Sequence, residues 1–202
     1  MSLTLIIGAS FSGTSMIAHV CHANGAWMGE ILTEPPEEYR ESQHYDLYEN
    51  ITFRSLCRNA LNIDTEIDKK SLDKLFKAFF VSLPTDSECV VLKYPKAFYL
   101  LPALRDKLQV EPKLVNVIRN PFRRAFSYVQ RTQVFNVPYA LMEWDQAYMQ
   151  AAEATDGLDM YTILYERFLK EPEMEAKQLF DFIGLKPEKV DVSMVDTGKR
   201  HF

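Results

Sequence analysis

The chain has 202 residues, enough for one domain with a substantial core and too few for two comfortable ones. Hydrophobic residues make up 47% and charged residues 25%, a globular composition that excludes disorder. A net charge of −5 argues against a general nucleic-acid binder, and no apolar run approaches the roughly 18 residues that span a membrane.

Leu3–Gly8 reads as a short, wholly apolar strand. It starts without a basic leader, so export by a standard signal is not expected. Ser12 to Ala23 reads as a helix with Met16, Ile17, Val20 and Cys21 on one side and Gly25 past its end. Residues 30–56 are polar and aromatic without clear period, and Glu34 to Glu41 must open as loop. Asp68–Leu83 carries Leu72, Leu75, Phe76, Phe79 and Phe80 at helical spacing. Cys89–Lys93 is a second buried strand stopped by Pro95, and Lys113–Ile118 is a third. Asn120 then caps a helix with Pro121 at its first position. On that helix Phe122, Ala125, Phe126 and Val129 are expected to face the core, with Arg124, Ser127 and Arg131 opposite. A helix around Tyr139–Ala152, a strand at Met160–Tyr165 and a helix from Pro172 closed by Gly184 complete the chain.

Apolar strands alternating with helices predict an α/β fold with a central, mainly parallel sheet flanked by helices. Ligands bind such sheets at the carboxyl ends of the strands, so the turns after the strands carry the chemistry. Cys21, Cys57 and Cys89 are odd in number and widely spaced, which suits reduced thiols in a cytoplasmic setting better than disulfides or a zinc site. His19, Cys21 and His22 make no convincing metal site on one helix, and no metal is expected.

The first strand-to-helix turn is Gly8-Ala9-Ser10-Phe11-Ser12-Gly13-Thr14-Ser15. Glycines five apart let the backbone curl around an anion at a helix N-terminus. A triphosphate-binding loop would place lysine after the second glycine; Thr14 stands there, which disfavours ATP or GTP hydrolysis. An ordinary βα turn without ligand is the competing reading. After the third strand, Arg119 and Ser127 can jointly grip a phosphate, or belong to a solvated helix face. Lys93 ends an apolar strand and needs solvent or an anion. Glu41 and His44 are candidate general bases in a polar segment, with Glu30 and Glu34 weaker.

Taken together, Gly8…Ser12-Gly13-Thr14-Ser15, Leu92-Lys93-Tyr94-Pro95, Arg119-Asn120-Pro121…Ser127 and Tyr165-Glu166-Arg167-Phe168…Gly184-Leu185 occur in one order over residues 3–185. This set resembles the sulfotransferases that use 3′-phosphoadenosine 5′-phosphosulfate (PAPS), in their bacterial form. The resemblance implies a three-layer P-loop-type fold, with 1–202 one sulfotransferase-like domain and about 30–85 an acceptor-side segment within it. It implies a PAPS site at Ser10, Phe11, Ser12, Gly13, Thr14 and Ser15 for the 5′-phosphosulfate. Arg119, Ser127 and Arg131 would take the 3′-phosphate, and Tyr165 would touch adenine. Glu41, Lys93 and His44 would be catalytic, Glu41 being the preferred base, and the product would be 3′,5′-ADP.

Two departures stand in the first loop. Phe11 replaces the family's lysine or arginine, and Ser10 its proline. A missing cation removes charge stabilisation in the transition state, where each ~1.4 kcal/mol is tenfold in rate. Lys93, Arg40 or Lys96 are the candidate substitutes. A catalytically impaired nucleotide-binding protein of the same fold is the second reading, and a nucleotide kinase the third. The acceptor is expected to be a small molecule or carbohydrate; aromatics within 39–53 and 122–139 either line its pocket or belong to the core. The oligomeric state is open.

Overall fold

The computed structural model describes residues 2–30, 48–61, 68–87, 89–101, 111–133 and 135–195. Four strands build one sheet: β1 (Ser2–Gly8), β2 (Cys89–Lys93), β3 (Lys113–Ile118) and β4 (Met160–Leu164). Their order is β2-β1-β3-β4, every pairing is parallel, and Ile6 stands opposite Lys93 while Gly8 stands opposite Val117. The boundaries of the four strands read from the sequence agree with the structure to within a residue.

Apart from Ser2 and Thr4, β1 is apolar, as suits a strand whose two faces are both covered by helices. Alternation sends Leu3, Leu5 and Ile7 into one core, where they meet Phe53, Phe76, Phe79, Phe80 and Phe98. Ile6 points into the other, with Ile17, Val20, Val115, Phe168, Leu179 and Ile183. The first core is roofed by α2 (Ile51–Ala60), α3 (Lys69–Val81) and α5 (Val137–Ala154). The second is roofed by α1 (Thr14–Ala23), α6 (Tyr165–Lys170) and α7 (Pro172–Ile183). Burying each of these phenylalanines contributes about 1.5–3 kcal/mol. Trp27 bridges to Val90 beyond α1, giving β2 a neighbour on its outer side.

Two departures from the sequence reading bear on how the site is built. α2 lies in the stretch expected to be without period; Asn50 caps it by accepting from Phe53 N, and Phe53, Leu56 and Cys57 form its inner face. The second departure is the facing of α4 (Pro121–Thr132). Ala125 and Val129 are buried as expected, but Phe122 and Phe126 are 59% and 54% exposed, while Arg124 and Ser127 are inside. The helix turns its polar side inward because backbone carbonyls and Glu143 wait there for the Arg124 guanidinium. A buried charge fully supplied with acceptors is tolerated, and it then fixes the helix rotation.

Chain order and spatial order part company at β1. The chain leaves β1 for β2 on one side and later returns through β3 on the other. The turns after β1 and β3 therefore flank a crevice at the carboxyl edge, the usual ligand position in open parallel sheets.

Candidate functional site

Gly8 ends β1 where Val117 O lies 2.7 Å from the position of any Cβ, so only glycine fits against β3. Gly13 precedes α1 with φ 95°, and a Cβ there would meet the Tyr165 ring at 2.3 Å. Having no side chain, Gly13 gives α1 no side-chain cap. The first-turn amides of α1, at Thr14 and Ser15, thus receive no cap from Gly13 and stand at the positive end of the helix dipole. Asn50, Asp68, Asn120 and Asn136, by contrast, cap their own helices.

Neighbouring elements hold each residue of this turn. Arg124 Nε donates to Ser10 O at 2.8 Å, and Arg119 Nη1 donates to Phe11 O at 3.1 Å. Tyr148 on α5 donates to Val117 O at 2.7 Å, so the 3.0 Å contact between hydroxyls has Ser12 donating to Tyr148. Ser12 is wholly buried, and its hydroxyl braces the loop from behind. Tyr165 covers Gly13. The turns after β1 and β3 are in direct contact through Arg119.

Arg119, the residue after β3, is 5% exposed. Its guanidinium lies 4.9 Å from the Tyr165 ring centroid, and Trp144 Nε1 holds its carbonyl at 3.0 Å. Burial lowers its pKa from the ordinary arginine value, countered by Tyr165 and Glu166. Arginine stays charged regardless. Among the described residues its buried Nε has no hydrogen-bond partner. A buried, charged donor left open beside a bare helix N-terminus fits an anionic ligand. Ser127 is buried on the inner side of α4, and half-buried Arg131 lies one turn further, with its guanidinium 5.6 Å from the Phe11 centroid.

On the other flank, Lys93 ends β2 with 2% exposure. Its Nζ is 3.2 Å from Ser15 Oγ and 2.7 Å from Glu49 Oε1. Arg54 Nε reaches the second Glu49 oxygen at 2.9 Å. The anion a strand-end lysine requires is therefore Glu49 of the chain itself. Burial pulls the Lys93 pKa down, and Glu49 pushes back up. Sequence reasoning missed Glu49, and the available signal was Asn50: a helix cap fixes the residue before it just outside the first turn. Tyr148 and Arg124 were also missed as site residues.

The other sequence candidates are less connected. Glu41, His44, Glu34 and Arg40 lie outside the described residues. Glu30 is exposed. Lys96 pairs with Glu143 at 3.5 Å, the carboxylate that also takes Arg124. His19 stacks on Tyr48 at 4.4 Å.

A model of the sulfotransferase family matches residues 4–189. The chain belongs to the sulfotransferase family. It is similar in structure to the sulfotransferase domain from the curacin biosynthetic pathway, with TM-score 0.57 and 19% identity over 99% of this chain and 81% of that one. A Mycobacterium avium sulfotransferase gives TM-score 0.60 at 13% identity over 96% of this chain and 66% of its own length. One from Alicyclobacillus acidocaldarius gives 0.53 at 17% identity, covering 99% and 86%. No curated protein sequence matches. At such identities the shared property is the fold, and this sulfotransferase carries it in a central, all-parallel sheet flanked by helices. No helix among the described residues is long and apolar enough to cross a membrane.

Proposed function

We propose that this sulfotransferase moves a sulfuryl group from PAPS to a hydroxyl or amine of a small-molecule or carbohydrate acceptor. The observation that carries the reading is the 3.1 Å bond from Arg119 to Phe11 O, which brings two anion-seeking turns within reach of one nucleotide. When bound, PAPS supplies an activated sulfuryl group for in-line displacement, with 3′,5′-ADP leaving. The α1 amides at Thr14 and Ser15, with the Ser15 hydroxyl, hold the 5′ end. Arg119, Ser127 and Arg131 hold the 3′-phosphate. Tyr165, already carrying Arg119 on one side and Gly13 beneath it, borders the adenine. Ser10, Phe11 and Ser12 shape the cradle.

Lys93 is the cation at the transfer end. What supports this is the 3.2 Å contact of its Nζ with Ser15 Oγ, in a loop where Phe11 provides no charge. Charge stabilisation from a preorganised, dry position is the largest contribution a protein makes to such transfers. Glu41 or His44 accepts the acceptor's proton, and the segment over 30–85 forms the acceptor side. The three free, buried cysteines suit a cytoplasmic protein.

Calorimetric titration with 3′,5′-ADP, 5′-AMP and ATP plus magnesium tests the reading. The expected order is 3′,5′-ADP tightest, and radiolabelled sulfate from PAPS should reach a hydroxyl or amine in an acceptor panel. A preference for ATP overturns the assignment. Tight 3′,5′-ADP binding with no transfer to any acceptor favours the impaired nucleotide-binding protein, a reading motivated by Phe11.

A further inference from the structure

Phe11 occupies the loop position where a lysine or arginine is expected, yet arginines still converge on it. Its backbone is left-handed, at φ 66°, a conformation disfavoured for a bulky residue and kept where surroundings impose it. That conformation presents two surfaces to the chain end of β3 and to α4. The carbonyl accepts from Arg119 Nη1 at 3.1 Å. The ring lies under the Arg131 guanidinium, 5.6 Å from the centroid, and meets the edge of Tyr128 at 5.7 Å and 85°. Tyr128 in turn carries the Arg124 guanidinium at 5.1 Å. Arginines and rings thus alternate through Arg131, Phe11, Tyr128 and Arg124.

The arginines around the loop differ in what already faces them. Arg124 is satisfied by Ser10 O, Ala140 O and Glu143. Arg119 keeps a buried Nε without a partner among the described residues. Arg131 stands one helical turn beyond Ser127, on the side of α4 that faces the loop. Like charges gathered this closely repel, and aromatic faces offset part of that repulsion without neutralising it. A ring at position 11 therefore gathers cations that a lysine there would push away.

We propose that Phe11 is a positioning residue for the 3′-phosphate. Its carbonyl and ring seat Arg119 and Arg131 as a pair, and this pair sets the preference for 3′-phosphorylated over plain 5′-nucleotides. The inference rests on the nucleotide reading above and deepens it: the charge absent from the loop reappears on α4, at the far end of the nucleotide from Lys93. A lysine at position 11 is accordingly expected to weaken 3′,5′-ADP rather than tighten it.

The test is calorimetry with 3′,5′-ADP and 5′-AMP on the full chain and on Phe11→Leu, Phe11→Trp, Arg131→Gln and Phe11→Leu/Arg131→Gln. Phe11→Leu should weaken 3′,5′-ADP by about fivefold to tenfold, within the range of a desolvated cation–ring contact, and weaken 5′-AMP by a clearly smaller factor. Phe11→Trp, which keeps a ring face, should stay within about twofold of the parent. The double variant should be no weaker than Arg131→Gln alone, since the two side chains act through one contact. Equal losses for both nucleotides, or full additivity in the double variant, overturn the proposal while leaving the nucleotide reading standing. A parent chain that does not prefer 3′,5′-ADP overturns both. Should Phe11→Leu fail to fold, Arg131→Gln decides alone: unchanged discrimination between the two nucleotides overturns the pair.

Discussion

Replacing Glu49 by alanine should destabilise the fold by about 3 kcal/mol, because it removes a carboxylate that faces two cations from a nearly dry position. Glu49 is 5% exposed and Lys93 2% exposed, with 2.7 Å between Oε1 and Nζ. At that separation and an effective dielectric of about 20, the gross attraction is about 6 kcal/mol, most of it offset by the desolvation of both ions. The Arg54 contact adds less, about 1 kcal/mol or under, since a third of that side chain is in water. The assay is urea denaturation at pH 7 of the parent, Glu49→Ala, Lys93→Met and the double variant Glu49→Leu/Lys93→Met. The double variant should recover most of the loss, since removing both ions removes the desolvation cost with them. The pH dependence has a definite sign. Burial depresses the Lys93 pKa and Glu49 raises it, so Glu49→Ala depresses it further. Below the ordinary lysine value of 10.5 the unfolded chain then binds the proton more readily than the folded one, and stability rises with pH. The deficit of Glu49→Ala should therefore shrink between pH 7 and 10. A loss below about 1 kcal/mol, or the same loss in a Lys93→Met background, would refute the reasoning.

Three further outcomes follow from the same geometry. Arg119→Ala should weaken 3′,5′-ADP by at least tenfold and 5′-AMP far less, measured by calorimetry; equal losses would contradict its place at the 3′ end. Gly13→Ala puts a Cβ 2.3 Å from the Tyr165 ring at φ 95° and should cost about 2 kcal/mol in denaturant titration, together with loss of nucleotide binding. The buried thiols should resist iodoacetamide at pH 8.5 until the chain unfolds, because burial raises the pKa values of Cys21 and Cys57 and lifts Cys89 from 9.0 to about 11. Cys89 keeps its proton in the folded state while the unfolded thiol loses it, so its contribution to stability is complete below pH 9.0 and declines toward about 11.

The strands were legible because their signal is local. Cys89–Lys93 and Lys113–Ile118 are short, mostly apolar runs, as suits strands covered on both faces. The two turns were legible for the same reason: the spacing of Gly8 and Gly13 marks a backbone curl, and Asn120 marks a helix start by its capping chemistry. α4 shows where this stops. Counting apolar residues puts Phe122 and Phe126 inside, but its facing is set by Arg124, whose acceptors come from Ser10, Ala140 and Glu143, distant in sequence. Glu49 was illegible for a related reason. A glutamate in a polar segment looks solvated until a buried lysine on β2 is placed beside it.

These long-range partners share one target, and that is the physical logic of the site. Ser10, Phe11, Ser12 and Gly13 are consecutive, and each is held by a different side chain: Arg124, Arg119, Tyr148 and Tyr165. Two of these come from the strand end and helix after β3, one from α5 and one from the start of α6. A short loop free to move would lose much of its binding energy in becoming ordered around a phosphate. Fixing it from several sides removes that cost before the ligand arrives and leaves the α1 amides aimed at one point. The same braces explain why Arg124 turns inward on α4 and why α5 carries an inward tyrosine hydroxyl: both side chains reach the four-residue loop.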